Sequence, residues 1–279
     1  MRTLFTWMMA AATSLVAPAT LAIAADKPVL TIYTYESFTS DWGPGPAIET
    51  AFEENCNCDL QFVSLDSSIG ILGRVQLEGA ESKADIVLGL DTNLMATARN
   101  TGLFAPHGTT LAGRTSLPVD FSDDVFVPFD WGHFAFVYNS ETMAQPPVSM
   151  QELVDAPESL RIVIQDPRTA TPGLGLLLWV KSVYGDDAPE AWAKLESKIV
   201  TVTKGWWDAY SMFLEGEADM VLSYSTSPAY HVIAESTDKY KAAAFSEGHY
   251  MQVEVAAMMK NAPQPELASQ FMDFILDDR

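Results

Sequence analysis

Four aromatic residues fall where the chain's pattern puts strand ends and helix starts: Tyr35, Trp206, Tyr224 and Tyr230. The last two bracket Ser225, Thr226 and Ser227, a run of hydroxyls after the apolar Met220, Val221 and Leu222. That change of character reads as a buried strand, a polar turn and a helix start, with Ser227 as N-cap and Pro228 at the first helical position. Tyr35 precedes Glu36 and Ser37, an aromatic beside a carboxylate, which is an arrangement suited to holding a cation. Trp206 follows Gly205, which lets backbone approach closely, whereas its neighbour Trp207 reads as a core anchor. Thr171, expected as the N-cap before Pro172, opens a helix whose N–H groups can serve an acceptor or anion. Ring faces attract a cation by about 0.5 to 2 kcal/mol each. Such a set suits non-covalent enclosure of a cation rather than bond-making.

Catalytic signatures are absent from the sequence. There is no Gly-x-Ser-x-Gly elbow, no phosphate-binding Walker loop and no His-Glu-x-x-His pair. His107, His133, His231 and His249 are dispersed, so no metal site, cofactor or enzymatic activity is expected. Cys56 and Cys58, the two cysteines, enclose a single residue. That spacing is too tight for zinc and leaves a small disulfide or a dithiol at a helix end.

The elements that position these residues alternate between strand and helix. Residues 29–34 form a first β-branched strand, and the Trp42-Gly43-Pro44-Gly45-Pro46 turn feeds a helix through Glu54. Residues 59–65 form a second strand, and Ser67 and Ser68 cap an amphipathic helix bearing Ile69, Ile71, Leu72, Val75 and Leu77. Residues 84–90 form a third, buried strand, and Thr92 caps the helix that ends before Gly102. Three such units imply a parallel sheet with right-handed crossovers, all mouths on one edge. Residues 126–138 are extended despite Pro128 and Gly132 and read as a crossing between two lobes. A capping box at Ser149 and Glu152 starts the second series: strand 161–165, a helix from Pro172, helix 189–200, helix 207–215 and the strand before Tyr224. Strand 253–257 carries the chain back. The expected fold is α/β with two lobes and a cleft between them, the plan of a type II solute-binding protein. Residues 26–130 with 248–279 form the N-terminal lobe, and 131–247 the C-terminal one.

Composition sets the compartment and excludes some partners. The chain has 279 residues, 16 Lys+Arg against 37 Asp+Glu and a formal net charge of −21. Nucleic acid and anionic membrane surfaces are therefore poor partners. Residues 1–25 carry one cation, an apolar run and Ala22-Ile23-Ala24 before the expected cleavage point, the form of a signal peptide. Export to the periplasm follows.

Several segments together resemble a known family: Tyr33-Thr34-Tyr35-Glu36-Ser37-Phe38, Asp41-Trp42-Gly43-Pro44-Gly45-Pro46, Cys56-Asn57-Cys58, Val127-Pro128-Phe129-Asp130, Gln165-Asp166-Pro167-Arg168-Thr169, the glycine-rich start at Thr171, Thr201-Val202-Thr203-Lys204-Gly205-Trp206 and Ser246-Glu247-Gly248-His249-Tyr250. The chain from about Lys27 to Phe274 resembles the periplasmic thiamine-binding proteins of bacterial thiamine ABC transporters. The resemblance implies capture of thiamine and its mono- and diphosphates by a monomer, and delivery to a membrane permease with an associated ATPase. It implies ligand contacts at Tyr35, Trp206, Tyr224 and Tyr230, and polar ones at Thr171, Ser225, Thr226 and Ser227. The family's Asp-Gly stands here as Ser67-Ser68 and its serine as Ala170. Hydrogen bonds at those positions are thus lost or rerouted, with Asp66 a substitute, and Lys204 stands within reach of a phosphate. Relatives continue past the position of Arg279 with a further site aromatic and helices on the first lobe, so a chain ending there is expected to keep the fold and bind more weakly. Two alternatives are weighed: a ferric iron-binding type II protein, against which stands the lack of a Tyr-Tyr pair, and an exported enzyme using Cys56 or Cys58 on a thiamine-like heterocycle.

Overall fold

The computed structural model describes residues 27–113 and 116–276. The expected signal peptide, residues 1–25, lies outside the described residues. The elements in chain order are β1 (Val29–Tyr35), α1 (Glu36–Thr39), α2 (Gly45–Cys56), β2 (Asp59–Leu65), α3 (Ser68–Glu78), β3 (Ile86–Asp91), α4 (Met95–Asn100), β4 (Phe126–Asn139) and α5 (Met150–Asp155). They continue with β5 (Ile162–Gln165), α6 (Thr171–Tyr184), α7 (Ala188–Glu196), β6 (Ile199–Thr203), α8 (Trp206–Leu214), β7 (Met220–Tyr224), α9 (Ser227–Ala234), β8 (Tyr240–Ala242), β9 (Met251–Met258) and α10 (Pro265–Phe274).

The strand order is β2-β1-β3-β9-β4-β7-β5-β6, with β8 paired to β4. At one end β1 pairs parallel with both β2 and β3; at the other β5 pairs parallel with both β6 and β7. Between these units β9 and β4 run antiparallel to their neighbours. Strand β4 changes partner along its length: it pairs with β9 as far as His133 and with β7 from Phe134 onward. The result is the two-lobed α/β arrangement that the alternating pattern implies, with β4 and β9 as the strands that join the lobes.

Both faces of each parallel unit are covered, as parallel sheets require. One face of the first unit packs Ile71, Leu72, Val75 and Phe126, and the other packs Ile32, Phe52, Leu88 and Phe271. In the second unit Phe134, Phe136, Leu176, Trp179 and Leu222 form one core, and Val163, Val221, Tyr210 and Phe213 the other. Each fully buried large side chain contributes about 1.5 to 3 kcal/mol. Gly175 allows α6 to lie on β4, because a Cβ there would stand 2.0 Å from Phe134 Cε2.

Several local expectations are corrected. The segment 189–200 is not one helix. Helix α7 stops at Glu196, and the β-branched Ile199–Thr203 pairs as edge strand β6. The buried Lys198 caps the join by donating from Nζ to the carbonyls of Lys194 and Val154. Thr92 does not cap α4; Asp91 Oδ1 accepts from the N–H groups of Asn93 and Leu94 instead. The first helical residues are Thr171 and Ser227 rather than Pro172 and Pro228, so the N-caps are Ala170 and Thr226. Leu77 is 91% exposed and lies off the apolar face of α3. In α5 the Ser149 hydroxyl accepts from Glu152 N–H as expected, but the Glu152 carboxylate reaches Val148 N–H. Ser67 Oγ accepts from Gly70 N–H at the start of α3. Cys56 and Cys58 are joined in a disulfide.

Candidate functional site

The carboxyl ends of β1, β2 and β7 and the starts of α6 and α8 converge on a cavity of about 670 Å³. Its wall includes ten of the residues picked out from the sequence: Tyr35, Asp66, Ser67, Ser68, Ala170, Thr171, Trp206, Tyr224, Thr226 and Ser227. Lys204 is also on the wall. Two of the expected residues are not. Ser225 follows Tyr224 in the turn between β7 and α9. It is exposed, and its N–H is spent on the His133 carbonyl at 2.8 Å. Tyr230 sits one turn into α9, about 4.5 Å along the helix axis from Ser227, and is 43% exposed at the rim. Cys56 and Cys58 are likewise absent from the wall.

Trp206 is fixed on two sides. Its indole N–H donates to Ser223 Oγ at 2.8 Å, and its ring stacks on Tyr210 with centroids 5.0 Å apart. Ser223 shares a 2.7 Å hydrogen bond with Ser227 Oγ, which also accepts from Tyr224 N–H. The hydroxyls of this turn therefore order one another and hold the indole. Trp207 corrects the expectation of a core anchor: it is 49% exposed and lines the cavity. Trp206 is the nearer of the two indoles to Tyr210, with Trp207 lying parallel to the same ring at 6.5 Å between centroids.

The facing lobe supplies Trp42, which the sequence shows only as part of a rigid turn. Its ring lies 6.1 Å from Trp206, 5.5 Å from Trp207 and 6.1 Å from Tyr230, measured between centroids. Beside it Asp66 and Lys204 form an ion pair across the cleft. Both partners are largely exposed, so the pair orients the lobes more than it stabilises them.

The floor is acidic, with Glu254 and Gln252 buried in it. Tyr35 donates its hydroxyl to Glu254 at 2.8 Å, and Gln252 donates to the other oxygen of that carboxyl at 2.6 Å. Gly89 makes room for the tyrosine: at φ +99° it has no Cβ, and one there would stand 2.4 Å from the ring. Tyr224 packs on Phe134 with centroids 5.3 Å apart. Burial, and then the nearby Glu254, push the Tyr35 and Tyr224 hydroxyls well above their ordinary range, so both are neutral donors. Burial pushes the Glu254 carboxyl up to about 8, and neighbouring Asp130 adds to this. Asp130, at the cleft's open side, is itself raised by the partial desolvation of its carboxyl there. Of these floor residues, Glu254 carries a signal in the sequence: it is an acid set between Val253 and Val255 in the apolar run 253–257. Asp130 and Gln252 carry none beyond their place at the crossing strands.

The arrangement can seat a flat cation between rings, with acceptors below and hydroxyl donors at one edge. Comparison with known proteins agrees with such a role. Residues 39–279 match the bacterial extracellular solute-binding protein family. The chain is 57% identical over 250 residues to the thiamine-binding periplasmic protein of Escherichia coli K12, covering 90% of this chain and 76% of that one. It is 53% identical over 249 residues to the thiamine-binding periplasmic protein of Brucella abortus, covering 89% and 74%. A solved structure of a periplasmic thiamin binding protein superposes with a TM-score of 0.88 at 55% identity, covering 95% of this chain and 81% of that one.

Proposed function

The chain belongs to the bacterial extracellular solute-binding proteins, and from that premise we propose that it captures thiamine in the periplasm and delivers it to an ABC transporter permease. The reading extends to thiamine mono- and diphosphate, to a monomeric carrier without catalytic activity, and to export directed by residues 1–25. Its lobes are residues 26–130 with 248–279, and residues 131–247, closing over the ligand about β4 and β9. The relatives' printed function supports thiamine as cargo. The single observation that carries the reading onto this chain is the cleft itself: aromatic rings from both lobes above a floor of acids.

Thiamine's thiazolium is a permanent cation suited to the faces of Trp206, Tyr224 and Tyr35. Its aminopyrimidine offers donors and acceptors to Thr171, Thr226, Ser227 and Ser68. Three rings supply at most about 6 kcal/mol, whereas nanomolar capture needs roughly 12 kcal/mol. Edge hydrogen bonds and water released as the lobes close supply the remainder. Phosphate esters would extend toward Lys204, which would then exchange Asp66 for the phosphate.

Titration of the purified protein with thiamine, read by tryptophan fluorescence, tests the reading. Saturable quenching, through stacking on Trp206, is expected. A flat response to thiamine together with a visible charge-transfer band on adding ferric iron would replace it with iron carriage.

A further inference from the structure

Strand β9 carries a single acid, Glu254, and the sheet register sets another on either side of it. Asp91 of β3 is its direct partner in one ladder and Asp130 of β4 its direct partner in the other. Directly opposed residues of antiparallel strands share a face, so three carboxyl groups lie in one row across the strands that join the lobes. Glu254 and Asp130 line the cleft, and the fully buried Asp91 backs it.

Like charges in such a row repel, and the burial of Asp91 and Glu254 removes much of the water that would screen them from each other and from the more exposed Asp130. Among the described residues no lysine or arginine is paired with any of the three. Among the described residues Lys204 is the one lysine or arginine on the cleft wall, and it is paired with Asp66. The groups facing Glu254 from neighbouring elements are Tyr35 from β1, Asp91 from β3, Asp130 from β4, Tyr224 from β7 and Gln252 from β9 itself. All are neutral or acidic.

A second observation concerns hydrogen-bond partners rather than charge. Gln252 and Thr171, 3% and 5% exposed, are on the cleft wall, yet Gln252 Oε1 and Thr171 Oγ1 have no hydrogen-bond partner. Nor has Asp91 Oδ2. The Tyr224 hydroxyl approaches Gln252, and the Thr171 hydroxyl approaches Asp91, without closing a bond. Gln252 Oε1, a buried acceptor left open on the cleft wall beside these acids, fits a ligand that brings both positive charge and an N–H donor.

We propose that Glu254 is the specificity-determining residue of the cleft: it holds a proton in the empty protein, and releases it as a cationic ring seats, leaving a carboxylate counter-ion. The O–H bond of the carboxyl breaks, the proton passes to solvent, and the Glu254 side chain goes from neutral to −1 against the ligand's +1. No electrons are transferred. This rests on the reading of the site as a thiamine cleft and adds to it which side chain tells the cation from an uncharged look-alike. The raised value of about 8 agrees with the geometry. It implies an affinity that climbs roughly tenfold per pH unit below that value.

Calorimetry of the whole protein at pH 7, in buffers of differing ionisation enthalpy, counts the protons. Thiamine is compared with 3-deazathiamine, a neutral analogue with a thiophene in place of the thiazolium. Wild-type protein is expected to release most of one proton on binding thiamine and none on binding the analogue. Glu254→Gln, which keeps the shape and the donors' partners, is expected to abolish the release. It should also cut the preference for thiamine over the analogue by roughly 30-fold or more. Should that variant fail to fold, the wild-type proton count decides alone. Thiamine binding with no proton release by the wild type overturns the proposal, as does a Glu254→Gln protein that keeps the release or the preference. Absence of any thiamine binding by the wild type overturns the thiamine reading as well, which separates the two failures.

Discussion

A carboxyl that holds its proton to about pH 8 in the folded protein must leave a mark on stability, and the sign follows directly. In the unfolded chain Glu254 ionises around its ordinary value of 4.5, whereas burial and Asp130 hold it protonated to about 8 when folded. Between those values the unfolded state loses a proton that the folded state keeps, so the stability of the empty protein falls as pH rises through that window. Below 4.5 both states are protonated and the penalty is absent. One pH unit is worth about 1.4 kcal/mol. The full window therefore costs roughly 4 to 5 kcal/mol, a large share of the 5 to 15 kcal/mol typical of a domain. Other carboxyls titrate too, so the quantity to measure is the difference between wild type and Glu254→Gln. Urea unfolding without ligand, followed by tryptophan fluorescence from pH 5 to 8.5, gives it. The variant should gain steadily on the wild type toward high pH, with the two curves closest at pH 5. A difference that stays flat across the window would refute the reasoning.

Other perturbations reach the site through packing. Gly89→Ala would thrust a Cβ into the Tyr35 ring and force an L-residue into φ +99°. It should cost roughly 1 to 3 kcal/mol in thermal melts and weaken thiamine binding in the same preparation. Trp42→Ala removes three inter-ring contacts across the cleft. At about 0.5 to 1.5 kcal/mol each, it should lower thiamine affinity at least tenfold by fluorescence titration. Lys204→Met breaks an exposed ion pair with Asp66 and should change unfolding free energy by less than about 1 kcal/mol. Its calorimetric signature should be a selective loss of affinity for thiamine diphosphate relative to thiamine.

Much of the architecture is legible in local pattern. Strands β1 to β3 are readable because β-branched or continuous apolar runs alternate with capped amphipathic stretches, and a parallel sheet is the packing that covers both faces. Strand β6 is not, because Ile199–Thr203 follows a helical pattern with no proline or glycine to mark the break. The caps at Thr171 and Ser227 are misplaced by one residue because proline fits either of the first helical positions. In the cleft, residues at strand ends and helix starts are readable from punctuation. Contacts between distant segments are not. The row formed by Asp91, Glu254 and Asp130 exists through the pairing of three strands, and Trp42 meets Trp206 because the lobes face each other. No spacing rule links such positions. Ser225 shows the converse: its chemistry suits the site, but the turn after β7 ties its N–H to His133 and leaves it exposed, off the wall.

A crystal structure of the protein with thiamine tests the central claim most directly. Electron density for the vitamin is expected in the cleft, its rings against Trp206, Tyr224 and Tyr35 and its positive ring over Glu254. Thiamine seated elsewhere on the surface, or a cleft that stays water-filled at saturating thiamine, would contradict it.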